Sequence, residues 1–238
     1  MITLKEQAFF DYIRCPTFYD AVYNKKLPYQ TRDSFNRLLN KVANSFYLEL
    51  MNGNVMRLDI IKRKWDAVCE DNKHYITEKK CLEGLDLLFK FYKWAENKRI
   101  QIIDINTPYK LVFKGKRSIV EIQGELYPIA KINNQVELLI TSFESKYPDQ
   151  AILDLNLKYS LDSYTFYRFY QKEIGVHLHH VSKNEDFFSY RIRDDFNRLR
   201  STVDNIGFSL ENNIYYPRES VLCPSCQMKD ICKVWTNK

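Results

Sequence analysis

Glycine and proline are scarce in this chain: six and seven residues among 238, spread without clustering. Linkers of Gly- or Pro-rich low complexity are therefore excluded, and one folded domain is expected. No apolar run approaches ~20 residues, so no membrane-spanning helix and no membrane partner are expected. The opening Met1-Ile2-Thr3-Leu4-Lys5-Glu6-Gln7 lacks an apolar leader core, which leads to the expectation of a cytoplasmic protein. The G-x-x-x-x-G-K-[ST], G-x-G-x-x-G and G-x-S-x-G patterns are all missing. That argues against a P-loop NTPase, a dinucleotide enzyme of the common type and a hydrolase with a nucleophile elbow. Neither sign of charge dominates: 36 Lys and Arg face 30 Asp and Glu, a net of +6. Such a balance permits a polyanionic partner without requiring one.

Aromatic residues are plentiful, with 17 Tyr and 15 Phe, and the apolar fraction of 45% suffices for a sizeable core. Helical periodicity covers Leu4 to Tyr23, interrupted near Pro16, then Arg32 to Met51, Asp59 to Glu70 and Thr77 to Asn97. The last is expected to bury Leu82, Leu85, Leu88, Phe89 and Tyr92. From Ile100 to Phe143 short β-rich segments alternate with turn signals, and Asn133-Asn134 reads as a hairpin. One long helix is expected from Ala151 to Ile174, stopped at Gly175, followed by strands at Val176–Val181 and Phe187–Ile192. A last helix runs from Arg193 to Ile206. The fold class is therefore α/β (α+β). Residues 1–99 form a helical N-terminal lobe, 100–207 the sheet-bearing core, and 208–238 a cysteine segment, all within one domain.

Three of the six cysteines lie in Cys223-Pro-Ser-Cys226-Gln-Met-Lys-Asp-Ile-Cys232, a C-x2-C-x5-C run without a local fourth member. Cys15, in Arg14-Cys15-Pro16-Thr17-Phe18, is the best fourth partner, and a site shared by these four would tie the N-terminus to the C-terminus. In a reducing compartment clustered cysteines mean metal or catalysis. Soft thiolates select an iron–sulphur cluster or a structural zinc, and C-x2-C serves both. Cys69 and Cys81 stand apart on helical patterns and read as packing residues. His177 and His179 share a strand face, and they read as half-buried sheet positions with a metal role open.

The Cys15-Pro16-Thr17-Phe18 run and the Cys223–Cys232 triplet, with the order of elements between them, resemble the PD-(D/E)XK nuclease superfamily. The similarity is to its RecB-like iron–sulphur branch, which includes the CRISPR-associated RecB-type exonucleases and the nuclease domain of AddB. The resemblance spans nearly the whole chain, though its specific residues lie mostly at the ends. It implies a restriction-endonuclease-like core sheet flanked by helices, and a 4Fe–4S cluster on Cys15, Cys223, Cys226 and Cys232. Structural zinc stays open as the alternative.

The same resemblance implies a Mg²⁺- or Mn²⁺-binding centre built from a Gly-x-x-Asp strand, a hairpin and an Asp-x-Lys strand end. Here Gly124 is present, but the first Asp falls on Tyr127, the second on Thr141 and the Lys on Phe143. An upstream histidine falls on Asn44. These side chains cannot build an oxygen cage for Mg²⁺. A relocated Glu-x-Lys, Glu144 and Lys146 with Glu125 as partner carboxylate, is the residual catalytic option. Strand alternation opposes it, since 141 and 143 share a face that 144 and 146 do not.

Candidate contacts to nucleic acid are Lys62, Arg63, Lys64, Lys114, Lys116, Arg117, Arg168, Arg191 and Arg193, with aromatics interleaved between Tyr164 and Tyr170. The leading expectation is a catalytically inactive module. It binds single-stranded DNA or a duplex end, or serves as a scaffold in a larger protein complex for replication, recombination, transcription or CRISPR-type processing. Alternatives are an active metal-dependent DNA exonuclease with relocated residues, and a protein-interaction subunit without nucleic-acid contact. Richness in Asn, Lys, Ile and Tyr suggests an AT-rich phage or bacterial genome.

Overall fold

A computed structural model describes residues 1–28, 34–54, 57–146 and 148–236. The fold is mixed α/β of the α+β kind, and the chain divides into two compact units. The first is drawn from Met1–Arg32, Pro108–Glu125 and Asn197–Lys238; the second from Asp33–Thr107 and Leu126–Phe196. Among the described residues no helix is long and apolar enough to cross a membrane.

In the first unit, strand β1 (Ile2–Lys5) leads into helix α1 (Glu6–Arg14), which buries Ala8, Phe9 and Tyr12. The periodicity from Leu4 suggested helix throughout. Instead Ile2 to Lys5 pairs in parallel with Val120 to Gln123, because tertiary pairing outweighs local helical preference in so short a stretch. Helix α1 stops where Cys15 turns extended (φ −165°, ψ 113°), as a residue before proline must. Pro16 then opens helix α2 (Pro16–Tyr19), which runs on as a π-turn over Asp20–Asn24. Strands β3 (Pro108–Lys114) and β4 (Ile119–Glu125) form an antiparallel hairpin, and the sheet order is β1-β4-β3. Its inner face carries Leu4, Leu111, Phe113, Val120 and Ile122, all buried. Helix α8 (Arg193–Glu211) extends five residues past its expected end. Within this unit it buries Leu199, Val203 and Ile206, while its Asp204 carboxylate accepts from the backbone N–H groups of Arg117 (3.0 Å) and Ser118 (2.9 Å) in the hairpin turn.

In the second unit, helices α3 (Phe35–Met51), α4 (Leu58–Asp71) and α5 (Glu78–Lys98) pack around one core with part of the sheet. The expected start of α3 at Arg32 lies outside the described residues; Ser34 caps the helix by accepting from Arg37 N–H at 3.2 Å. The buried stripe of α5 runs through Gly84, Leu87, Leu88, Phe91 and Trp94. Leu82, expected inside, is 65% exposed, because the helix turns its stripe about one position from the expected one. Cys69 and Cys81 are not separate packing residues: they form a disulfide between α4 and α5, Cα to Cα 6.1 Å. Beside it Trp65 is buried and donates to the Cys81 carbonyl at 2.8 Å. Gly84 lies under the Trp65 ring, with no room for a Cβ.

The second sheet has the order β2-β5-β6-β7-β8, formed by Gln101–Asp104, Ile129–Ile132, Gln135–Ser142, Gly175–His180 and Glu185–Ser189. The strands thus form two sheets where a single core sheet was expected. The Asn133-Asn134 hairpin joins β5 to β6 with both residues at positive φ (49° and 69°), the conformation a two-residue turn demands. Strands β6 and β7 run parallel, and the crossover between them is two helices rather than one. These are α6 (Gln150–Asp154) and α7 (Leu157–Tyr170). Asn156 breaks the run by accepting from the N–H groups of Lys158 and Tyr159, and Gln171 in the left-handed region, not Gly175, ends it.

Candidate metal centre

Cys15 faces the recess from the joint between α1 and α2, its extended backbone held by N–H to the Asp11 carbonyl (3.0 Å) and carbonyl to the Tyr19 N–H (3.0 Å). The C-terminal cysteines sit on successive tight turns. Cys226 N–H donates to the Cys223 carbonyl (3.1 Å), Lys229 to Cys226 (3.2 Å), Cys232 to Lys229 (3.3 Å) and Trp235 to Cys232 (2.9 Å). Each three-residue step returns the chain to one side, which is what the C-x2-C spacing encodes. The last step enters a single helical turn, α9 (Lys233–Thr236).

Side chains fasten this segment to the N-terminal helices. The Tyr12 hydroxyl donates to the Ile214 carbonyl (2.6 Å), the Arg218 guanidinium to the Ile13 carbonyl (2.7 Å), and Tyr19 stacks on Tyr215 with centroids 6.3 Å apart. Met228, 5% exposed, plugs into Phe18 and Ala21, with Cys15 and Cys226 at the border of that small core.

The result is a recess of ≈ 440 Å³, partly open to solvent, lined by Cys15, Cys223, Cys226 and Cys232 together. All four thiols are free and half-buried. Ser220 N–H donates to Cys223 Sγ at 3.2 Å, and that sulphur also approaches the Arg218 carbonyl at 3.9 Å. Arg14, Arg218 and Lys229 line the same recess against one carboxylate, Glu219, so its electrostatics favour an anionic occupant. Sequence reasoning missed these cations and Trp235; the tryptophan's place three residues after Cys232 was the available signal. Among the described residues, no three or more His, Cys, Asp or Glu side chains are arranged to hold a single metal ion.

The expected catalytic positions fall as follows. Gly124 is in β4 of the first unit, where a Cβ would collide with the Glu6 carboxylate and the Tyr109 hydroxyl that donates to it at 2.8 Å. Close packing accounts for this glycine. Tyr127 belongs to the second unit; Tyr159 meets its ring edge-on at 6.0 Å and Lys158 Nζ lies 4.8 Å from its centroid. Lys158 also pairs with the buried Asp162 at 2.7 Å. Thr141, near the end of β6, shares a 2.5 Å hydrogen bond with the Tyr47 hydroxyl of α3. Burial pushes that phenol far above its ordinary pKa, so it stays protonated. Phe143 is 3% exposed within the helical core, 6.0 Å from Phe91. Asn44 is exposed on α3. Glu144 and Lys146 are exposed beyond the end of β6, and the Lys146 carbonyl bonds to His180 Nε2 at 2.9 Å. Glu125 belongs to the first unit, at the end of β4.

His177 and His179 are wholly buried, not half-buried, and they belong to a charged network. His177 Nδ1 lies 2.9 Å from Glu137, and its Nε2 is 3.2 Å from Asp186. His179 Nδ1 bonds to Asp186 at 2.9 Å while Trp94 stacks on its ring at 3.8 Å; Trp94 Nε1 and Lys98 Nζ also donate to Asp186, each at 3.0 Å. Burial alone would lower His177, but the bonds to Asp186 and Glu137 prevail and hold its pKa above the ordinary value. Burial keeps His179 below it, despite Asp186. Burial would raise Asp186, yet His177, His179 and Lys98 hold it far below the carboxylate range. Asp186 is the shared acceptor of this network, and His179 Nε2 is buried without a hydrogen-bond partner among the described residues.

The basic residues divide between the units. In the second, Lys62 and Arg63 are exposed on α4, Arg63 pairs with Asp59 (3.3 Å), and Lys64 stands 3.9 Å from Glu49. Arg168 and Arg193 are exposed. Arg191 is not a surface contact: it is 7% exposed and its guanidinium donates to the carbonyls of Leu153 and Asp154. In the first unit, Lys114 and Lys116 are exposed in the hairpin turn, and Arg117 lies 3.7 Å from Asp204 and over the Phe208 ring. Of the aromatics on α7, Tyr164 and Phe166 are buried, while Tyr167, Phe169 and Tyr170 reach solvent.

No family model matches the sequence, and no curated protein matches it. Among solved structures, the chain is similar to a "Putative exonuclease" from Eubacterium rectale, at 9% identity and a TM-score of 0.52, over 94% of this chain and 87% of that one. It also aligns with the crystal structure of SSO0001 at 12% identity and a TM-score of 0.42, over 98% of this chain and 86% of that one. The first likeness is one of fold alone: the two chains share a mixed α/β architecture.

Proposed function

We propose that this chain is a catalytically silent protein of nuclease-like fold. In this reading Cys15, Cys223, Cys226 and Cys232 hold a structural iron–sulphur cluster, and the protein acts as a DNA-binding or scaffold subunit of a nucleic-acid-processing assembly. The observation that carries the reading is the convergence of four free thiols, from both ends of the sequence, on one basic recess. Four thiolates on a single zinc at ~2.3 Å would stand only ~3.8 Å apart. A cluster would instead spread the sulphurs, one thiolate to each iron. When bound, the cluster supplies a cross-link between the chain's ends. Arg14, Arg218 and Lys229 offset its negative charge, and the Ser220 N–H orients Cys223.

The silent part of the reading rests on the end of β6. There Thr141 is tied to a protonated tyrosine and Phe143 is packed in the core, so neither position offers a carboxylate or an ammonium. The fold neighbour's name supports nucleic acid as the partner class. Anaerobically purified protein is expected to absorb broadly near ~400 nm and to contain iron and sulphide; colourless protein carrying zinc would overturn the cluster. Labelled single-stranded DNA with Mn²⁺ is expected to stay intact. Metal-dependent cutting abolished by Glu144→Ala would establish the relocated active site instead. DNA affinity is expected to fall steeply with salt, and no binding at low salt would leave only the protein-interaction role.

A further inference from the structure

We infer that Trp235 is the shield of the cysteine recess, a positioned wall that limits how fast small molecules reach the sulphurs. The inference builds on the proposed cluster but has a readout that does not need one. Trp235 lines the recess with all four cysteines, and Phe18, Leu222 and Val234 add further apolar lining. Its place is set by the backbone: the helical turn after Cys232 is closed by Trp235 and Thr236 N–H groups donating to the Cys232 carbonyl at 2.9 and 3.0 Å. The Thr236 hydroxyl donates to that carbonyl as well, at 3.1 Å. Lys229 Nζ, between the second and third C-terminal cysteines, stands 4.5 Å from the indole centroid. The ring is therefore held from its own turn and by a cation whose residue also lines the recess. It is 43% exposed, so it borders the recess and solvent at once, whereas Phe18 is 3% exposed and forms the inner wall. More than half of the Trp235 surface is covered although the ring stands at the edge of an open thiol site, the placement of a cover.

The test compares wild type, Trp235→Ala and Trp235→Phe. In anaerobic, iron-loaded protein, the rate at which a chelator removes iron is followed by absorbance. In metal-free protein, alkylation of Cys15, Cys223, Cys226 and Cys232 by iodoacetamide is followed by mass. Trp235→Ala is expected to accelerate both by roughly two- to fivefold, the factor implied by losing one exposed cation–π contact at the recess edge. Trp235→Phe is expected to restore most of the protection. Equal alkylation rates in wild type and Trp235→Ala would overturn the assignment, as would iron content in Trp235→Ala already below wild type before the chelator is added, since that marks an assembly role. Wild-type protein that takes up no iron sinks the cluster alone; the alkylation comparison still decides the shield.

Discussion

At the residue scale, the molecule turns on groups whose neighbours leave them one option. Gly84 is one: the buried Trp65 ring occupies the space a side chain would need. Gly84→Ala is expected to cost about 1–3 kcal/mol in a urea titration, since neither ring nor helix can retreat within a packed core. The His177–Asp186–His179 network gives a pH signature. His177 is raised, so its contribution is full below the ordinary histidine value of 6.5 and is lost as pH rises through its folded pKa. His179 is lowered, so its contribution is full above 6.5 and is lost as pH falls through its folded pKa. The two overlap only near 6.5. Denaturant midpoints measured from about pH 5 to 9 are expected to peak there, and Asp186→Asn is expected to flatten the peak.

At the scale of elements, α4 and α5 are joined by a covalent link as well as by packing. Reducing Cys69–Cys81 frees a loop spanned by 12 positions and is expected to lower stability by about 2–3 kcal/mol. Thermal melts with and without reductant check this, and Cys69→Ser is expected to melt like the reduced protein in both. The helical hairpin itself was legible from the periodicity, and the β5–β6 hairpin from Asn133-Asn134. The disulfide was not, because two cysteines at packing positions look alike whether or not their neighbours bring them together. Strand β1 was hidden for a related reason: four residues with mixed preference became a strand only by pairing with β4, more than a hundred positions away. The break at Asn156 was written in the sequence as a capping residue, but the continuous apolar pattern on either side masked it. Of the candidate site, the C-terminal cysteine triplet was legible by spacing and Cys15 through the resemblance, whereas the basic and aromatic lining came from residues with no pattern of their own.

At the scale of the whole molecule, the proposed cluster would give the two cysteine groups separate duties. Cys232→Ser is expected to lose the ~400 nm absorbance and bound iron and to lower the melting temperature, because metal binding is coupled to folding. Cys69→Ser is expected to keep both absorbance and iron, as Cys69 and its partner Cys81 both belong to the second unit, whereas the four recess cysteines belong to the first. Iron assays on the two variants side by side check the division; equal iron in Cys232→Ser and wild type would defeat it. The first unit also has a temporal consequence. It is stitched from stretches near residues 1–32, 108–125 and 197–238, and its recess needs Cys15 and Cys232 together. During synthesis Cys15 emerges more than two hundred residues before its last partner, while the second unit's segments are complete by Phe196. The recess that all four cysteines line can therefore close only after Cys232 has been made.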